Sequence, residues 1–182
     1  IDIIREQCDL IMAVSGIVAA PGQVIGGGTN WFTSVQGVDP EFLTIKSWTV
    51  EDGNMFTERD IRAKTKVAVL GASVVENMYG GVSPVGQTIR IQKTPFKIIG
   101  VLEAKGQSSG GQDQDDTVLV PLTTAAFRLR GDSQYVSAIY VSATTVDVMD
   151  MAKEEVTQTL RQAHKLIDGQ DDDFSVRSQS EL

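Results

Sequence analysis

Apolar residues in this chain recur at two spacings, and the switches between them lay out the elements. Residues 1–8 (IDIIREQC) read as the end of a helix. Residues 11–25, rich in Val, Ile and Ala, read as a strand interrupted at Pro21-Gly22, and Gly26-Gly27-Gly28 forms a flexible corner. Trp31, Thr33, Val35 and Gly37 then alternate with Phe32, Ser34 and Gln36, the period of a strand. The short apolar run 67–70 (VAVL) suits a strand buried on both faces. TIRIQ and FKIIGVL predict a hairpin over 88–102 that turns at Lys93-Thr94-Pro95. Strands are also expected at 117–120, 135–142 and 174–176.

The helical signals are short, with one exception. Asp39-Pro40 opens a helix with Asp39 as N-cap, and Thr57 with Asp60 marks a capped turn leading to Arg62. A helix over 72–79, N-capped by Ser73, ends at Gly80-Gly81, and another runs from Pro121 to Leu129. Asp147 caps the longest helix. There Val148, Ala152, Val156, Leu160, Ala163 and Ile167 form one apolar stripe, His164 and Lys165 occupy the last turn, and Gly169 ends it.

This order, hairpins beside helix-to-strand crossovers, predicts an α+β fold in two lobes. Residues 1–44 and 123–182 pair as one lobe, and residues 45–122 form an inserted β-rich lobe with hairpins. The length of 182 residues and the 41% hydrophobic content allow a real core. The net charge of −8, without a basic cluster longer than two residues, argues against nucleic acid as a partner. Cys8 stands alone, so neither an intrachain disulfide nor a thiolate metal cluster can form. Apolar runs stay below the ~18–20 residues of a membrane helix. A chain that starts at Ile1 is expected to be a segment of a longer protein.

Two stretches look like catalytic motifs and fail on context. Gly81 to Thr88 has the glycine spacing of a phosphate-binding loop, but Gln87 replaces the lysine and a strand follows where a helix is needed. Leu70-Gly71-Ala72-Ser73 sits at a strand-to-helix turn like a nucleophile elbow, but Val75 stands where the second glycine belongs. Ser73 and His164 are the residues a hydrolase would need; capping and dipole compensation explain them without chemistry. Asp113, Asp115 and Asp116 could give calcium a few of its six to eight oxygens, yet the loop lacks the glycine and distal glutamate of an EF-hand. The expectation for loop 105–116 and for Asp171-Asp172-Asp173 is a solvated surface with no metal site, the loop being exposed and mobile. Trp31, Phe32, Trp48, Phe56 and Tyr79 read either as core or as a partner surface.

Several segments together resemble a known family: VQGVDPEFLTIKSWTVEDGNMFTERD, VAVLGASVVENMYGGVSPVGQTIRIQKTPFKIIGVLEAKG, GQDQDDTVLVPLTTA, and LRQAH with DDDFSVR near the end. Their order and glycine placement, over about residues 35–177, are similar to the MacB-like periplasmic core domain of FtsX-type ABC transporter permeases. The resemblance implies a porter-like, membrane-proximal lobe built from both chain ends, with a β-rich lobe inserted in its middle. It implies a location on the periplasmic face of the bacterial inner membrane, with membrane helices before and after the domain. Implied partners are a periplasmic adaptor (membrane fusion) protein, the permease's own membrane helices and a cytoplasmic ATPase. The full-length protein would be a homodimer and the excised domain monomeric or weakly associated. No catalytic, cofactor or metal residue is implied, because ATP hydrolysis belongs to another domain. The exported substrate would be a small molecule, a peptide or lipid-like. A lipoprotein-releasing permease, a ligand- or calcium-binding sensor, and a hydrolase using Ser73 and His164 are the alternative readings.

Overall fold

The computed structural model describes residues 1–20, 22–131 and 136–178. The fold is α+β, as the pattern predicts. Its strands are β1 (Ile11–Ala19), β2 (Gly22–Gly26), β3 (Thr29–Val38), β4 (Val50–Gly53), β5 (Val67–Leu70), β6 (Thr88–Ile91), β7 (Thr94–Leu102), β8 (Thr117–Pro121) and β9 (Ala138–Ala143). Its helices are α1 (Asp2–Gln7), α2 (Phe42–Ile45), α3 (Glu58–Ala63), α4 (Ala72–Tyr79), α5 (Leu122–Thr124, continuing as a wider π-helical turn over Ala125–Arg130) and α6 (Met149–Ala163).

Among the described residues the strands form one sheet, ordered β2-β6-β7-β5-β8-β3-β1-β9, with β4 on β7. β3 divides its partners: residues 29–33 pair with β2 and residues 34–38 pair in parallel with β8. Because β2 also pairs with β6, the path from β2 through β6, β7, β5, β8 and β3 closes on itself. β1 and β9, from opposite ends of the chain, pair antiparallel beside this ring.

Why β5 sits at the centre follows from its sequence. Val67, Ala68, Val69 and Leu70 are all buried, as a strand covered on both faces requires. One face contributes Ala68 and Leu70 to a core shared with Val74, Met78, Ile89, Ile91, Phe96 and Ile98. The other contributes Val67 and Val69 to a core with Phe42, Phe56, Leu102 and Leu119. Phe56, 2% exposed, contributes about 2–3 kcal/mol through burial alone. A third, smaller core joins α1, β1 and α6 through Ile4, Cys8, Val14 and Val156.

Local chemistry accounts for most boundaries and corrects several expectations. The capping box of α3 is as expected, with the Thr57 backbone N–H donating to Asp60 Oδ2 at 2.9 Å. α4 is also in place, but Ser73 does not cap it; the N-cap position is Gly71. A side chain at Gly71 would lie 2.1 Å from the Asp115 carbonyl oxygen, so glycine is needed for that close approach. The hairpin turns one step earlier than expected, at Gln92-Lys93, both with positive φ (48° and 70°). Thr94 and Pro95 already belong to β7; Pro95 is tolerated because β7 meets β5 only from Lys97 onward.

Asp39 does not cap α2, whose N-cap position is Glu41. It accepts the Gly16 N–H at 2.9 Å, and its own N–H donates to Ser15 Oγ, so it staples β3 to β1. Asp147 lies in a short 3-10 turn, Val146–Val148, ahead of α6 rather than at its cap. α6 stops at Ala163, with Lys165 left-handed (φ 57°), so Gly169 lies beyond the helix. Its stripe is buried only at Ala152 and Val156, with Thr159 taking the next core position, while Ala163 and Ile167 face solvent. The helix outlasts the surface of α1 and β1 that it covers. Residues 174–176 are not a strand: Val176 packs on the α1–α6 core, and Phe174 meets the His164 ring edge-on at 5.6 Å. The expected strand at 135–142 is β9, and Tyr135 lies outside the described residues; Pro21 does too.

Candidate functional site: an open sheet face and a lysine-aromatic groove

The residues with apparent catalytic potential are placed apart and occupied. Ser73 Oγ donates to Asp113 Oδ2 at 2.5 Å, whereas His164 Nδ1 pairs with Asp173 at 2.7 Å. Gly81 and Gly86 take positive φ (81° and 93°), and the Gly86 N–H donates to the Ile98 carbonyl, so this stretch is the turn that feeds β6. Cys8 is buried, with Sγ 3.4 Å from Thr159 Oγ1, and burial pushes its thiol pKa up.

Loop 105–116 is mostly exposed but internally bonded. Asp115 is buried; its two oxygens accept the N–H groups of Lys105 and Gly106, each at 2.8 Å. Asp113 Oδ1 accepts the Asp115 N–H at 2.9 Å. Asp116 Oδ1 accepts Trp31 Nε1–H at 2.9 Å and the Thr33 hydroxyl at 2.7 Å. Among the described residues no group of three or more His, Cys, Asp or Glu side chains is arranged to hold a metal ion.

The five aromatic candidates divide. Phe56 is core, while Trp31 and Tyr79 are half-buried and pack on the central core. Phe32, 71% exposed, is the only one of the five that stands free. It sits on the outer face of β3, opposite Gln23 on β2, and the next outward position on β2 is Ile25, which pairs with Arg90 on β6. Lys97 on β7 is exposed too, two residues beyond Pro95, the partner of Arg90. This sheet face therefore presents two apolar side chains rimmed by two cations, on a chain whose net charge is −8.

Trp48 lines a groove of about 310 Å³ between α2, β9 and loop 105–116. The Phe42 and Tyr140 rings stack there at 6.3 Å. Lys46 Nζ lies 4.4 Å from the Tyr140 ring centre, and Lys105 Nζ lies 5.2 Å from that of Trp48. Lys105 also donates to the Lys46 carbonyl. Burial, and then the neighbouring Lys105, lower the Lys46 pKa. Sequence reading missed this groove because its residues come from four separated segments, with no local spacing to mark them.

Residues 1–159 match the family described as the MacB-like periplasmic core domain. The chain belongs to that family. Among the relatives of this MacB-like domain is the macrolide export ATP-binding/permease protein MacB of Chlorobium luteolum, 38% identical over 179 residues that take in 98% of this chain. The pyoverdine export ATP-binding/permease protein PvdT of Pseudomonas fluorescens is 36% identical over 161 residues, 87% of this chain. The MacB-like domain spans only about a quarter of these proteins (26% and 24%). Two solved structures share the fold. The periplasmic region of MacB from Actinobacillus actinomycetemcomitans matches with TM-score 0.73 and 22% identity, over 86% of this chain and 69% of that one. The extracellular domain of the ABC-type transporter YknZ from Gram-positive bacteria matches with TM-score 0.74 and 18% identity, over 90% and 83%. No helix of the described MacB-like chain is long and apolar enough to cross a membrane.

Proposed function

We propose that this domain is the extracytoplasmic part of a MacB-type export permease, where it docks a periplasmic adaptor protein and relays motion between that partner and the membrane helices, with no turnover of its own. The observation that carries the relay is the α1–β1–α6 core. Ile1 and Ile3 near one chain end and Val176 near the other pack on the same buried residues, Ile4, Cys8, Val14 and Val156. Motion delivered at either end enters one packed unit, and β1 passes it to β3 through Ile17–Ala19. The open face around Phe32 and Ile25 supports the docking half of the reading, since an exposed aromatic with cations at its rim is the composition of an interface anchor.

In this reading the full-length protein is a homodimer at the inner membrane, ATP is hydrolysed in a cytoplasmic domain or subunit, and the cargo is a small molecule, peptide or lipid-like compound. The reading requires a membrane helix shortly before Ile1 and further ones after Leu182 in the complete gene product. Their absence there would end it. The docking half is tested in that complete protein by capture of the adaptor encoded beside it. Phe32→Asp should reduce capture about tenfold or more, as loss of an interface anchor does, while ATP hydrolysis by the uncoupled transporter persists. Undiminished capture would remove the open face from the proposal.

A further inference from the structure

The groove between α2, β9 and loop 105–116 carries an unbalanced feature that relaying motion does not use. Two ammonium groups rest on aromatic faces of one groove. Lys46 lies over Tyr140 at 4.4 Å and over Phe42 at 6.0 Å, and Lys105 lies over Trp48 at 5.2 Å while donating to the Lys46 carbonyl. Among the described residues neither lysine forms an ion pair. The two carboxylates lining the groove, Asp113 and Asp116, accept from Ser73, the Asp115 N–H, Trp31 and Thr33. The acids are thus turned to protein donors, while the two ammonium groups rest on aromatic faces without a carboxylate partner among the described residues. Burial, and then the charge of Lys105, make the charged form of Lys46 costly and lower its pKa. An anion between them would remove that cost.

From this geometry we infer that the groove binds a small amphiphilic carboxylate, its head between the Lys46 and Lys105 ammonium groups and its flat apolar body against Tyr140 and Trp48. The volume, about 310 Å³, is at the lower end for a small-molecule pocket and matches a one- or two-ring body. Ser34 and Gln36, from the outer side of β3, supply polar contacts at the floor. Aromatic and cationic groups converge here from segments about 60 and 95 residues apart in the chain, so the site exists only in the folded domain. The groove adjoins the Phe32 face along the outer side of β3, but its test reads small-molecule binding rather than adaptor capture.

The test is a titration of the isotopically labelled 182-residue chain followed by amide and indole NMR shifts. The probes are 1-naphthoate, its neutral analogue 1-naphthamide, and acetate. Naphthoate should shift Lys46, Lys105 and the Trp48 indole, and bind about tenfold or more tighter than naphthamide, the size expected of a charge-assisted contact. Acetate should bind at least about tenfold more weakly than naphthoate, because it lacks the ring body. In Lys46→Gln/Lys105→Gln the naphthoate-to-naphthamide preference should fall to near one while the melting temperature stays close to that of the parent. Tyr140→Leu should weaken both naphthyl probes alike. Equal binding of the two naphthyl probes to the parent chain, a preference that survives the double lysine change, shifts confined to other surfaces, or no shift with naphthoate would each overturn the inference. So would displacement of naphthoate by an acidic peptide of far higher affinity, which would make the groove a peptide site.

Discussion

Two aspartate clusters, residues 113–116 and residues 171–173, are alike in composition and opposite in use. In the first, Asp115 is 5% exposed and fills both oxygens with backbone N–H groups, while Asp116 ties the Trp31 indole and the Thr33 hydroxyl of β3 to the start of β8. In the second, Asp172 pairs with the half-buried Arg161 near the end of α6 and Asp173 with His164 just past it. The difference lies in the donors. Turning loop 105–116 back onto β8 leaves unpaired N–H groups pointing inward, and a buried donor without an acceptor is costly. The C-terminal acids meet only side chains that water serves almost as well. A run of acids is therefore structural where backbone donors converge on it and decorative where they do not.

The sharpest way to break the comparison is Asp115→Ala, which strands two backbone donors. It should cost about 2–4 kcal/mol in urea unfolding, and Asp115→Asn, with one acceptor oxygen left, about half of that. Asp116→Ala should cost about 1–2 kcal/mol and shift the Trp31 fluorescence, since indole and hydroxyl lose their shared acceptor. If Asp115→Ala unfolds at the same urea concentration as the parent, the loop is not held by its acids.

Asp39 extends the contrast to a buried acid with a net desolvation cost. Burial pushes its pKa up, against the opposing pull of the Gly16 N–H and Arg5. A raised folded pKa means that its contribution is fully present below the ordinary carboxylate range and is lost as pH rises through the folded pKa. Asp39→Asn should therefore gain stability relative to the parent as pH rises from the ordinary carboxylate range, as read from unfolding midpoints across a pH series. A difference that is flat with pH would contradict the assignment. The smallest effects belong to the C-terminal cluster. Asp172→Ala and Asp173→Ala should each change stability by less than about 1 kcal/mol, and less still in high salt. Millimolar Ca²⁺ should leave the melting temperature of the parent unchanged, because the first cluster's oxygens already face protein donors.

What the sequence could show was whatever is decided within a few residues. VAVL is legible as a buried strand, Thr57 with Asp60 as a capping box, and TIRIQ with FKIIGVL as a hairpin, because each depends on near neighbours. Ser73 and Asp39 have the chemistry of N-caps, yet each is used otherwise, because a short polar side chain bonds to an unpaired donor or acceptor that the fold supplies. For Asp39 that donor is 23 residues away, and for Ser73 the acceptor is 40 away. The groove was illegible for the same reason: Lys46, Lys105 and Tyr140 become neighbours only when α2, loop 105–116 and β9 meet. Phe32 was legible as a candidate but not as an exposed one, since alternation gives two faces without saying which is covered.

The antiparallel pairing of β1 with β9 sets Ile11 opposite Ala143, so the segment entering β1 and the segment leaving β9 emerge from the same end of the pair. Tension that draws those two segments apart loads this ladder as a zipper, one rung at a time from the Ile11–Ala143 end. The parallel β3–β8 contact would be loaded in shear, with its rungs sharing the force. Ahead of the zipper stands the α1–α6 contact, which must part before the first rung feels the load. That small apolar clasp, and not the closed ring of strands behind it, is the first contact such tension reaches.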